Sequence, residues 1–260
     1  MLHLPRAGIG FVMLCAACSN LPPRLPSDLI VSIHGSRIQY EKGAEAQAKT
    51  LAELLPHAIH KVESRHHKKF REPVEIHICA SEACFSSYVK TPRLSAAVVT
   101  GNRLILNPRL FSEERDRLPF ILTHELSHIH FGQQLGHFDS AIPVWFHEGF
   151  ATWVASGGGA DSVTDTAALE AVKKGDYFFP EQRHFAHIRK YAQDWNLPIH
   201  VFYRQAMLFI QYLHDVDSAA FRTFVLDLQE AEQFYLAFSK AYGQDFAAVA
   251  ANFRPYSNLH

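Results

Sequence analysis

The segment His124-Glu125-Leu126-Ser127-His128, with Glu148 twenty positions beyond His128, constrains this chain more than any other feature. On a helix, residues four apart project from one face, one turn above the other. Two imidazoles at that spacing can reach a single zinc ion at about 2.0–2.1 Å. Glu125 sits about 100° round the axis, beside such a metal and free to handle a proton. Glu148, in Trp145-Phe146-His147-Glu148-Gly149-Phe150-Ala151, completes a set of three protein ligands and leaves a fourth position for water. A chain with 17 histidines meets the first pattern by chance in roughly one case in twenty, so the pairing with Glu148 carries the weight.

The surrounding pattern fits a helix with two working faces. Leu122, Leu126 and Ile129 form an apolar line at i, i+4, i+7. His124 and His128 lie about 200° round the axis from it, as on a half-buried helix lining a cleft. Pro119 suits its first turn, and Gly132 and Gly136 are expected to end it. A second helix opens at Pro143 and closes at Gly157-Gly158-Gly159. Its small residues Ala151, Thr152 and Ala155 share a face with Glu148 and would pack closely on the first helix. His147 points elsewhere and is read as a structural neighbour of Glu148, not a ligand.

Before these helices the pattern is mixed. Val31 to Tyr40 and Val74 to Ile78 alternate as strands, and Ala44 to Lys69 reads as one long helix burying Leu51, Leu54, Leu55, Ile59 and Val62, with Pro56 as a kink site. Gly101-Asn102 joins Ala97–Thr100 to Arg103–Asn107 as a two-residue hairpin. The expected fold is α+β: a small, mainly antiparallel sheet lobe over residues 29–112 and a mostly helical lobe over 113–260. Asp161 to Leu197 looks irregular. Pro198 starts a helix, Ile199 to His214, with Phe202, Ala206, Ile210 and Leu213 inward, and two or three more helices follow to Phe253.

The N-terminus reads as an export signal over residues 1–17. Arg6 is its only charge, and the apolar run Ala7 to Ala17 is shorter than the roughly 20 residues a membrane-spanning helix needs. Leu14-Cys15-Ala16-Ala17-Cys18-Ser19 resembles a bacterial lipoprotein processing site, with Cys15 where leucine is usual; an ordinary cleaved signal is the alternative. Cys18 would then carry the lipid, Ser19 fits outer-membrane sorting on the periplasmic side, and residues 18–28, with Pro22, Pro23 and Pro26, form a tether. Cys79 and Cys84 remain, in an oxidising compartment, either as a short disulfide or as two buried thiols. A net charge of −1 gives no footing for nucleic acid.

His124-Glu-Leu-Ser-His128 together with Pro143-Val-Trp-Phe-His-Glu148-Gly-Phe-Ala resembles the gluzincin metallopeptidases, in particular the compact bacterial peptidase MA-like group, and more distantly the aminopeptidase-N-like enzymes. The resemblance spans roughly residues 30 to 255. It implies a thermolysin-like zincin architecture with the site between two lobes, Zn2+ on His124, His128 and Glu148, and Glu125 as general base acting on a peptide or protein substrate. In the aminopeptidase relatives, a tyrosine heading a comparable helix stabilises the tetrahedral oxyanion. Tyr203 holds the matching place, with His200 one turn earlier as the lesser candidate; otherwise Tyr203 is a half-buried core residue. Those relatives also carry a Gly-Ala-Met-Glu-Asn block that grips the substrate's amino terminus. Here Gly101 to Pro108 contains no acid, and strand Arg103–Asn107 could pair with an extended peptide instead, as in an endopeptidase. The alternatives are a catalytically silent lipoprotein that keeps the fold for binding or envelope assembly, and a histidine-rich metal store. For the latter, His66-His67 and His184/His187 are further close pairs, and solvated surface positions explain both.

Overall fold

A computed structural model describes residues 29–32, 38–89, 95–180 and 189–253. The expected signal and tether over 1–28, Cys18 included, lie outside these residues, as do His184 and His187. The fold is mixed α+β. Five strands, β1 (Leu29–Ser32), β2 (Ile38–Glu41), β3 (Glu75–Ile78), β4 (Ala97–Thr100) and β5 (Arg103–Leu106), form one sheet in the order β1-β2-β3-β5-β4. The strand expected over Val31–Tyr40 is therefore two strands, paired antiparallel.

The sheet is not mainly antiparallel. β1–β2 and β4–β5 are antiparallel, but the central pairs β2–β3 and β3–β5 are parallel. Parallel neighbours need a long crossover, usually helical. Between β2 and β3 that crossover is α1 (Glu45–His66), which continues through Pro56 and ends where His67 turns left-handed at φ 59°. The pairing also corrects the expected docking strand. Arg103–Leu106 is interior, between β3 and β4, so among the described residues the edge strand on this side is β4.

Period-two alternation divides the sheet's two faces. Ile38, Ile76, Ile78, Leu104 and Leu106 share the main core with Ala48, Leu51, Ala58 and Val62 of α1. On the other face Ile105 and Val98, direct cross-strand partners, meet Cys79, Cys84 and Phe85 in a small separate core. Cys79 and Cys84 are disulfide-bonded and clip α2 (Glu82–Ser86) over this face. Closing so short a loop contributes about 2 kcal/mol by chain entropy.

After α3 (Arg109–Ser112) the chain is helical: α4 (Leu118–Leu135), α5 (Val144–Val154), α6 (Asp165–Lys173), α7 (Ile199–Val216), α8 (Ser218–Leu228), α9 (Phe234–Tyr242) and α10 (Phe246–Ala251). α4 runs through Gly132 and ends at Gly136 alone. α6 lies inside the stretch expected to be irregular, started by Thr164, whose hydroxyl accepts from Ala167 N–H. Every residue of α5 is buried. Its closest approach is to α7 rather than α4: a Cβ on Gly149 would lie 2.7 Å from the Ala206 carbonyl carbon. Trp145, Phe146 and Phe150 of α5 pack edge-on or stacked against Phe221, Phe224 and Phe234, the geometry aromatic rings prefer. Among the described residues no helix is long and apolar enough to cross a membrane.

Candidate metal centre

α4 and α5 bring His124, His128 and Glu148 to one point. The two Nε2 atoms are 3.0 Å apart, and Glu148 Oε2 lies 3.5 Å from that of His124 and 3.4 Å from that of His128. An ion held tetrahedrally at about 2.0–2.1 Å sets its donors about 3.3–3.4 Å apart, so the two Glu148 distances match and the Nε2 pair, at 3.0 Å, need only part slightly. Among the described residues they are the one cluster of this kind. His124 and Glu148 are almost fully enclosed, whereas the His128 side chain keeps 14% of its surface exposed, so the centre opens past His128.

The electrostatics suit a cation. Burial pushes the His128 imidazole down to about 4. Burial raises the Glu148 carboxyl, but the charges and hydrogen bonds of His128 and His124 outweigh it and hold Glu148 well below the carboxylate range. Burial depresses His124, yet its hydrogen bond to Glu148 and the charge of Glu125 pull it up overall. Glu148 is thus favoured as a carboxylate and His128 as a neutral imidazole, the forms in which each ligates a metal.

Glu125, next to His124 on α4, is half-buried. Burial drives its carboxyl up to about 7, with Glu148 adding to the shift and His124 and His147 opposing it. α7 places the Tyr203 ring 6.0 Å from that of His124, inclined by 21°, so the tyrosine packs beside the first histidine. His200, one turn earlier, is 2.8 Å from Ser162 Oγ through its Nδ1. His147 is not in the ligand set; its Nε2 lies 2.9 Å from Asp139 Oδ1 and its ring stacks on His128.

Two features escape a reading of the sequence. Gly157-Gly158-Gly159 does more than end α5. Nδ1 of His124 lies 2.9 Å from Gly158 O and donates to it, which leaves Nε2 free for a metal. A Cβ on Gly159 would come within 2.7 Å of the His124 ring, and one on Gly158 within 2.6 Å of Phe120 O. Gly159 also has φ +89°, where a side chain is strained. Three consecutive glycines exceed what one helix end requires, and that excess is the available signal. Gly159→Ala is expected to displace His124 and weaken metal binding by about 10- to 100-fold. Chelator competition measures this, and an unchanged affinity would refute the role.

His66 is the second. Expected at the surface, it is fully buried, with Nε2 2.8 Å from Ser127 Oγ and its ring 4.1 Å from His130 and 4.6 Å from Phe131. It belongs to the polar seam where the C-terminal end of α1 meets α4, not to a dispersed metal store.

No family model, curated protein or solved structure matches the chain in searches of all three.

Proposed function

We propose that the protein is a zinc-dependent peptidase of the gluzincin type. It would be an endopeptidase with a thermolysin-like division into sheet and helical lobes, exported and lipid-anchored through Cys18 on the periplasmic side of the outer membrane. One observation carries the reading: a carboxylate poised near neutrality, Glu125, adjoins three metal donors at tetrahedral spacing that leave one coordination position for a reactant.

When bound, zinc would supply Lewis acidity and bring the pKa of water to about 7. Glu125 removes the proton of the attacking water and delivers it to the leaving amine, a task for a base whose pKa lies near the working pH. The Tyr203 phenol, on the side of His124, is the donor for the developing oxyanion. β4, an edge strand of the sheet among the described residues, lies against α4 and can pair with an extended peptide backbone. Its turn to β5 offers no acidic side chain for a substrate ammonium, which favours internal cleavage.

The test is metal analysis and digestion on one preparation. Protein purified without chelator is expected to hold one zinc per chain and to cleave an unstructured protein such as casein. Phenanthroline should abolish cleavage and added zinc restore it. No zinc at all, or one zinc with no cleavage of casein or a random peptide library, would sink the peptidase reading and favour the catalytically silent alternative.

A further inference from the structure

The two histidines of the centre are held in different ways. His124 is fixed by its Nδ1 hydrogen bond to Gly158 O. Nδ1 of His128 is buried and has no hydrogen-bond partner among the described residues. Ligating imidazoles almost always have such a partner on the second nitrogen, because it sets the plane of the ring, and the terminal torsion of a histidine is otherwise soft. Something else must orient His128.

We propose that His147, pinned by Asp139, is the positioning residue for His128. The two rings are nearly parallel, inclined by 15° with centroids 4.4 Å apart. On another side His128 meets the edge of His124 at 4.7 Å and 81°, so its plane is confined between a face and an edge. The plane of His147 is set in turn by Nε2, 2.9 Å from Asp139 Oδ1, and by the Phe131 ring at 5.8 Å. Asp139 stands on the Gly136–Ala141 turn between α4 and α5. The residue directly before the ligand Glu148 thus braces the ligand from α4, and one turn of α5 delivers both the carboxylate and the support for the imidazole opposite it. A residue that merely fills space would need no Asp139 and would leave the metal's coordination unchanged.

The inference rests on His128 being a metal ligand, and the experiment separates the two ideas. Zinc affinity is measured by chelator competition for the mature chain and for H147A, H147F and D139A. The visible spectrum of the cobalt-substituted proteins is recorded alongside. H147A is expected to lose about 10- to 100-fold in affinity and D139A about 10-fold, with altered cobalt bands in both. H147F, which keeps a ring against His128 but gives up the Asp139 bond, is expected to match D139A, at about a 10-fold loss, and to bind more tightly than H147A. Parental affinity and spectrum in both H147A and D139A would overturn the inference while leaving the metal site intact, and so would H147F failing as badly as H147A. A parent chain that binds neither zinc nor cobalt would overturn both. If H147A does not fold, H147F and D139A decide.

Discussion

Glu125→Gln is expected to lower peptide hydrolysis by about two to four orders of magnitude, the usual contribution of a positioned general base, while zinc stays bound at one per chain. The amide keeps the size of the side chain but accepts no proton. Because Glu125 is not a ligand, His124, His128 and Glu148 remain as they are. The same variant carries a stability signature. A carboxyl raised from 4.5 to about 7 in the folded protein keeps a proton that the unfolded chain releases, so the metal-free parent loses stability as pH rises from about 4.5 through 7. Glutamine has no such dependence, and metal-free Glu125→Gln should become more stable than its parent across that window. At about 1.4 kcal/mol per unit, reduced because Glu125 is only half-buried, the gap is on the order of 2 kcal/mol. Denaturant titrations at pH 5 and pH 8 measure it. Undiminished hydrolysis would remove Glu125 from its role, and parallel pH profiles would show that burial does not raise its pKa.

Glu148→Gln is expected to weaken zinc binding by at least about 100-fold, beyond the 10- to 100-fold typical of losing an outer partner, and to abolish activity at ordinary zinc concentrations. The variant removes the single full negative charge from the ligand set and leaves two buried imidazoles facing a neutral amide. Its effect on pH dependence has the opposite sign to that of Glu125. The Glu148 carboxyl is held below its ordinary value, so it contributes stability above about pH 4.5 that the parent loses on acidification through the depressed pKa. The variant lacks that contribution and should show a shallower acid limb. Zinc affinity equal to the parent's would mean that the carboxylate is not a ligand.

Much of the helical half was legible because its signals are local. The spacing of His124 and His128 puts both on one face whatever surrounds the helix. Pro143 and Pro198 stand directly before α5 and α7, and Phe202, Ala206, Ile210 and Leu213 are buried as their periodicity requires. The Gly101-Asn102 hairpin was readable for the same reason, since a two-residue turn dictates its own antiparallel pairing. The parallel centre of the sheet carries no comparable mark. Nothing within Ile38–Glu41 or Glu75–Ile78 tells that a 22-residue helix returns the chain to pair them side by side.

The same divide runs through the site. The residue types and spacing of His124, Glu125 and His128 are properties of a single helix, and its 3.6-residue period determines them from sequence alone. That Glu148 closes to 3.4–3.5 Å, that Gly159 leaves room for one imidazole, that His147 braces the other, and that β4 rather than β5 forms the edge were decided by tertiary structure. Each depends on segments far apart in the chain being driven together by burial of a shared core, and the contacts made there are set by close packing rather than by any local period.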